Sequence, residues 1–116
     1  MAIKNFLPAT SRTDIGALNE NFVATQLVKK GYAIRYWRTK SKAEVNFIIE
    51  DKGEIIPLEV KTTLNRTSIS KSFRSFLDKY SPPVGLITSQ HLFDESDVNG
   101  IPVKWIPHWC VDPAWK

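Results

Sequence analysis

The stretch Ala43-Glu44-Val45-Asn46-Phe47-Ile48-Ile49-Glu50-Asp51-Lys52-Gly53-Glu54-Ile55-Ile56-Pro57-Leu58-Glu59-Val60-Lys61 decides the fold. Its two ends read as β-strands, and Glu50-Asp51-Lys52-Gly53 between them reads as a hairpin turn with Gly last, so the strands are antiparallel neighbours. Period-two alternation puts Val45, Phe47 and Ile49 on one face of the first strand, and Glu44, Asn46 and Ile48 on the other. In the second strand, Glu54 to Lys61, the residues Ile56, Leu58 and Val60 oppose Ile55, Pro57, Glu59 and Lys61. Pro57 donates nothing to a ladder, which predicts a bulge or an edge there. Asn46 then projects toward Glu59 and Lys61. A carboxylate, a lysine and a second oxygen ligand converging at one point make a site for a divalent metal and an activated water. The second oxygen belongs to an amide, however, and carries no charge.

Upstream, Thr13 and Asp14 are helix-start residues, and Ile15, Leu18, Phe22, Val23 and Leu27 follow at helical spacing. Gly31 marks the end, predicting a first helix over residues 14–30. Tyr32 to Arg38 is rich in aromatic and β-branched residues and reads as a strand, followed by a polar turn over Arg38 to Lys42. Downstream, Ser68 caps a second helix whose apolar stripe is Ile69, Phe73, Phe76, Leu77 and Tyr80, stopped by Ser81-Pro82-Pro83. Val84 to Thr88 is a short apolar strand, the acidic segment Phe93 to Gly100 a loop, and Ile101 to Ile106 a last strand. The order α-β-β-β-α-β-(β), its last strand Ile101 to Ile106, defines an α/β domain with a central mixed sheet flanked by helices. Residues 1–13 are a lead-in, and residues 14–116 form one domain ending in a tail that contains Trp and Pro.

The 116 residues suffice for one core and not two. With 42% hydrophobic and 24% charged residues, the composition gives no case for disorder. No apolar run reaches bilayer length, so no membrane role is expected. The start, Met-Ala-Ile-Lys-Asn-Phe-Leu-Pro, has no signal-peptide apolar stretch. A single cysteine, Cys110, fits a reducing cytoplasm. Without a Gly-x-x-x-x-Gly-Lys-Ser/Thr loop the chain has no ATP site of that type.

The net charge of +4 is unevenly spread. Lys29, Lys30, Arg35, Arg38, Lys40 and Lys42 lie in one acid-free segment, and Lys61, Arg66, Lys71 and Arg74 in a second. Two such segments either form one basic face toward phosphates or remain two separate solvated surfaces.

The stretches Gly16-Ala17-Leu18-Asn19-Glu20-Asn21-Phe22-Val23, Tyr36-Trp37-Arg38-Thr39, Ala43-Glu44-Val45-Asn46-Phe47 and Ile55-Ile56-Pro57-Leu58-Glu59-Val60-Lys61 resemble the PD-(D/E)xK nuclease superfamily, with its restriction-endonuclease-like fold. The resemblance is closer to one branch, the nuclease-like C-terminal domain of unknown function found on prokaryotic AAA-type ATPases. It spans roughly residues 16–80, with a weaker match at Ile101-Pro102. The resemblance implies that Glu59 is an acidic metal ligand, the Val60 carbonyl a further ligand, and Lys61 the lysine that orients the attacking water. It also implies that Glu20, on the first helix, holds a metal-bound water. Mg²⁺ or Mn²⁺ would be the cofactor and DNA the expected partner.

The departure is Asn46, where the family pattern is Val-Asp-Phe. An amide brings no charge to offset dehydrating Mg²⁺. Three readings follow: a natural pseudo-nuclease, which ranks first; an engineered inactive variant; or a site that uses Glu44 or Glu20 instead. The alternative function is non-catalytic, an adaptor or homo-oligomerisation domain of an AAA-type ATPase.

Among other residues, His91 and His108 have no Cys partner at zinc spacing, and Cys110 reads as a buried or inert thiol. The run Thr62, Thr63, Thr67, Ser68, Ser70 and Ser72 suits either phosphate contacts or helix capping. Tyr36 and Trp37, beside Arg35 and Arg38, suit stacking on unpaired bases, with only one of the two facing outward. Trp105, Trp109 and Trp115 read either as cover for one core edge or as a partner surface, and with Pro107 and Pro113 among them an irregular packed tail is the preferred reading.

Overall fold

A computed structural model describes residues 12–62 and 67–111. Helix α1 (Arg12–Lys29) leads into strands β1 (Ala33–Arg38), β2 (Glu44–Asp51) and β3 (Glu54–Val60). Helix α2 (Lys71–Tyr80), strands β4 (Gly85–Ser89), β5 (Asp94–Val98) and β6 (Ile101–Pro107), and a 3₁₀ turn over His108–Cys110 follow. The six strands form one mixed sheet in the order β1-β2-β3-β4-β6-β5. β1, β2 and β3 pair antiparallel, whereas β3, β4 and β6 run parallel. The expected α/β class and element order are therefore present, with one strand more than expected.

That strand is β5, in the acidic segment read as a loop. It runs antiparallel to β6 at the sheet edge. Its first four residues are exposed, so it carries no apolar alternation to betray it. Its carboxylates guard an open edge against further pairing. The signal for the hairpin lies after it: Asn99 and Gly100 both have positive φ, 54° and 87°, as a two-residue turn between twisted strands requires. Lys52 and Gly53 make the same kind of turn between β2 and β3, at 53° and 82°.

The core has two parts, one on each sheet face. On one, Val23 and Leu27 of α1 meet Phe47, Ile49, Ile56, Leu58, Leu86 and Ile106. On the other, Phe73, Phe76 and Leu77 of α2 meet Val45, Ile48, Ile87, Val103 and Trp105. Strict alternation on β2 fails here, because Val45 and Phe47 lie on opposite faces. Arg35 is opposite Ile48 and Trp37 opposite Val45, so Tyr36 alone faces Asn46 and Phe47 together. This β-bulge switches the faces of everything before it in β2.

Other expectations are corrected by packing. α1 turns Glu20, Val23, Ala24 and Leu27 inward, whereas Leu18 and Phe22 are 60% and 47% exposed. A helix that spends an inward position on a glutamate shows a poor apolar stripe. Pro57 is neither bulge nor edge: β3 is flanked by β2 and β4, and the pairing to β4 begins one residue later, at Leu58. The α2 cap is Ser70 rather than Ser68, its Oγ accepting from the Phe73 N–H at 3.1 Å. Trp105 is a fully buried strand residue, while Trp109 is exposed beside Phe93. The lead-in residues 1–11, Thr63, Arg66, Pro113 and Trp115 lie outside the described residues.

Candidate functional site

The carboxyl ends of the parallel strands β3, β4 and β6 lie side by side, which is where open α/β sheets gather their chemistry. Glu59 is there and is only 5% exposed. A buried carboxylate must be paired and hydrogen-bonded. Lys61 Nζ lies 2.8 Å from Oε2, and Ser70 Oγ donates to Oε1 at 2.9 Å. The same hydroxyl caps α2, so one serine joins the helix start to the buried acid. Alternation explains the Glu59–Lys61 pair, since residues two apart on a strand share a face.

Asn46 lies across the strand. The bulge in β2 and the end of β2–β3 pairing at Phe47 leave its side chain to bridge other groups. Its Oδ1 accepts from the Val60 N–H at 2.8 Å, and its Nδ2 donates to Glu20 Oε2 at 3.1 Å. The amide orientation is forced: the backbone N–H needs an acceptor and the carboxylate a donor. Partial burial, then the nearby Glu44 carboxylate, raise the Glu20 carboxyl above its ordinary value. Glu44 therefore lies within electrostatic reach of Glu20, on the side where the expected alternative ligands are placed.

Asn46 and Glu59 thus belong to two hydrogen-bonded groups that meet at Val60. Both oxygens of Glu59 and both polar atoms of Asn46 have protein partners. Among the described residues no three of His, Cys, Asp or Glu gather where they could share a metal ion.

His108, which the sequence offers only as a histidine without a zinc partner, is buried at the end of β6. Its Nδ1 lies 2.9 Å from Thr88 Oγ1, and the Thr88 carbonyl accepts the Lys61 N–H at 2.8 Å. Burial lowers the affinity of its ring for a proton, opposed by the Lys61 backbone carbonyl. His108 and Thr88 therefore brace the strand end that carries Lys61. The one available signal was position, one residue past the last strand.

The basic residues divide. Arg35 is paired with Glu50 at 3.3 Å. Arg38 lies opposite Glu44 on the neighbouring strand. Lys40 and Lys42 sit exposed on the β1–β2 turn, which is closed by the Thr39 N–H to Ala43 carbonyl bond and by the Lys42 N–H to Thr39 carbonyl bond. Lys42 and Lys71 line one open cleft of about 310 Å³ with Ser41, Ser72 and Ser75. Arg74 is exposed on α2. Tyr36 faces outward, whereas Trp37 packs edge-on against Phe76 and Tyr80. Cys110 is a half-buried free thiol.

Fold and site define a mixed α/β domain with a buried carboxylate–lysine pair at the ends of its parallel strands. The chain belongs to the DUF4143 family, a domain of unknown function found on AAA-type ATPase-like proteins, whose sequence profile matches residues 15–107. No curated protein matches it. No helix among the described residues is long and apolar enough to cross a membrane.

Proposed function

We propose that this domain is a degenerate PD-(D/E)xK nuclease that binds nucleic acid, DNA in the first instance, through a site that has exchanged a metal for internal hydrogen bonds. The observation that carries this reading is the Asn46 amide between the Val60 N–H and the Glu20 carboxylate. In a nuclease of this pattern a charged ligand stands at that position and a cation offsets the surrounding carboxylates. Here the NH₂ group faces the carboxylate in place of a cation. Each oxygen of Glu59 already has a protein partner, Lys61 on one and Ser70 on the other. A divalent ion at this donor set would have to share or displace these contacts, and Asn46 brings no charge to offset that. Should cleavage remain, Mg²⁺ or Mn²⁺ would have to be held by Glu59, Asn46 Oδ1 and the Val60 carbonyl, with Lys61 placing the water.

Phosphate contacts fall to Lys42 and Lys71, with Arg38, Lys40 and Arg74 nearby in sequence. The test is DNA affinity measured over a salt series. Removing one cation that neutralises a phosphate should flatten the log–log salt dependence by about 1. The double variant Lys42→Gln/Lys71→Gln should therefore flatten it by about 2. Wild type that binds no DNA at low salt, yet self-associates, would instead support an adaptor or oligomerisation domain. Membership of a family found on AAA-type ATPase-like proteins is what favours that second reading.

A further inference from the structure

Resting on the nucleic-acid reading above, we infer that Tyr36 is a stacking platform for an unpaired nucleobase, so that the site prefers single-stranded over duplex DNA. Tyr36 is 74% exposed and lies in an edge strand. Its ring is held against Phe47, with centroids 5.7 Å apart and planes 41° from each other. It stands opposite the β2 bulge, facing the Asn46–Phe47 pair. The bulge that aims Asn46 at Val60 and Glu20 thus places an open aromatic face beside the same site.

The neighbouring aromatic shows what coverage looks like in this protein. Trp37, one residue on, meets Phe76 and Tyr80, and its Nε1 donates to the Tyr80 hydroxyl at 3.4 Å. Among the described residues Tyr36 has one ring contact, and it keeps most of its surface open. An exposed Tyr is also good strand material, which by itself asks for no ligand. What points to a ligand is the distribution of charge around it. Glu20 and Glu44 disfavour phosphate on the Asn46 side. Arg38, Lys40 and Lys42 follow within six residues, and none forms an ion pair among the described residues. A strand whose phosphates track the basic turn presents its bases, rather than its backbone, to Tyr36. In duplex DNA both faces of each internal base are already stacked, so the ring is accessible to unpaired bases only.

The experiment measures fluorescence anisotropy with a labelled oligothymidine and a labelled blunt duplex of equal length, for wild type, Tyr36→Ala and Tyr36→Phe. Stacking of one base predicts that Tyr36→Ala weakens oligothymidine binding by about 5-fold to 150-fold. Duplex binding and the salt dependence stay as in wild type, and Tyr36→Phe keeps the single-strand preference. Equal weakening toward both probes, or no weakening toward either, overturns the inference while leaving nucleic-acid binding intact. Wild type that binds neither probe at low salt overturns both. Unfolding curves of the two variants separate a stacking defect from a folding defect, because Tyr36 contributes little buried surface.

Discussion

Asn46→Asp is the substitution with the most to say about this domain, because it adds a charge without changing shape. Val60 N–H keeps its acceptor, since either carboxylate oxygen can take the 2.8 Å bond. The loss falls on the other side, where Nδ2 donates to Glu20 Oε2 at 3.1 Å. A hydrogen bond to a charged group contributes about 1.5–3 kcal/mol. In its place stand two carboxylates whose repulsion at ~4 Å is at most about 4 kcal/mol at an effective dielectric of ~20. Glu20 is only partly buried, so solvent screens much of that. A net cost of roughly 2–3 kcal/mol follows, on the order of 10 °C in Tm for a domain of this size.

Two things should remove that cost. One is a proton: a pair with a raised carboxyl pKa in the fold is fully stabilised below the unfolded value and loses that stability as pH rises through the folded one. The other is a divalent cation, which at about a hundred times its Kd restores about 2.7 kcal/mol. Urea unfolding at neutral pH with EDTA should show the deficit; Mn²⁺ should erase it in Asn46→Asp and leave wild type unmoved, and mild acid should narrow the gap between Asn46→Asp and wild type. Glu20→Gln in the Asn46→Asp background should also erase it. Mn²⁺-dependent DNA cleavage by Asn46→Asp alone, abolished by Glu59→Ala, would complete the case for a nuclease scaffold silenced at one position. Equal stability of wild type and Asn46→Asp in EDTA, or a deficit that Glu20→Gln fails to relieve, would refute the idea that the amide stands in for a cation.

Three further outcomes follow from the same contacts. Ser70→Ala removes an N-cap and a partner of buried Glu59 together, so it should cost about 2–4 kcal/mol in chemical denaturation, against ~1 kcal/mol for an ordinary cap. His108 is held neutral by burial, so its contribution is present above the unfolded histidine pKa near 6.5 and is lost as pH falls through the lower folded value. The stability of wild type should therefore drop below pH ~6.5 more steeply than that of His108→Asn, as read by urea midpoints across the range. Gly85→Ala would put a methyl 3.0 Å from the buried ring of Phe73 and 3.4 Å from Leu77, and should lower stability by ~1–3 kcal/mol in thermal unfolding.

The hairpin from Ala43 to Lys61 was legible because its turn residues and its apolar alternation agree with each other. Glu59 and Lys61 were legible for the same reason, as a charged pair on one face of an otherwise apolar strand. The bulge was not, because a one-residue insertion leaves no mark on composition and only appears when β1 is laid against β2. It nevertheless reverses the faces of Val45 and Phe47. Strand β5 was hidden because an edge strand with one ladder needs no apolar face, although Asn99-Gly100 announces the turn. Ser70 was legible only as one hydroxyl in a run suited to capping, and His108 only as a histidine without a zinc partner, because their contacts depend on which elements end beside Glu59 and Lys61, and local spacing does not carry that.

This coupling of structure and chemistry limits which substitutions can decide the function. Lys61 is the residue a nuclease reading would remove first, but it also neutralises a carboxylate that is nearly sealed from water. Breaking one partner of a buried pair costs about 3–5 kcal/mol wherever the other charge is stranded. Lys61 is itself partly exposed, so the figure is an upper bound, yet loss of activity in Lys61→Ala would still mix impaired chemistry with impaired folding. Lys61→Arg keeps the charge and the Glu59 contact while changing how a water or phosphate is presented. If DNA binding depends on Lys61 through its charge, Lys61→Arg should retain affinity and fold alike, whereas Lys61→Ala should lose both. Loss of affinity in Lys61→Arg at unchanged stability would place the lysine in direct contact with a phosphate. Retention of affinity in Lys61→Ala, at reduced stability, would assign it to the support of Glu59 alone.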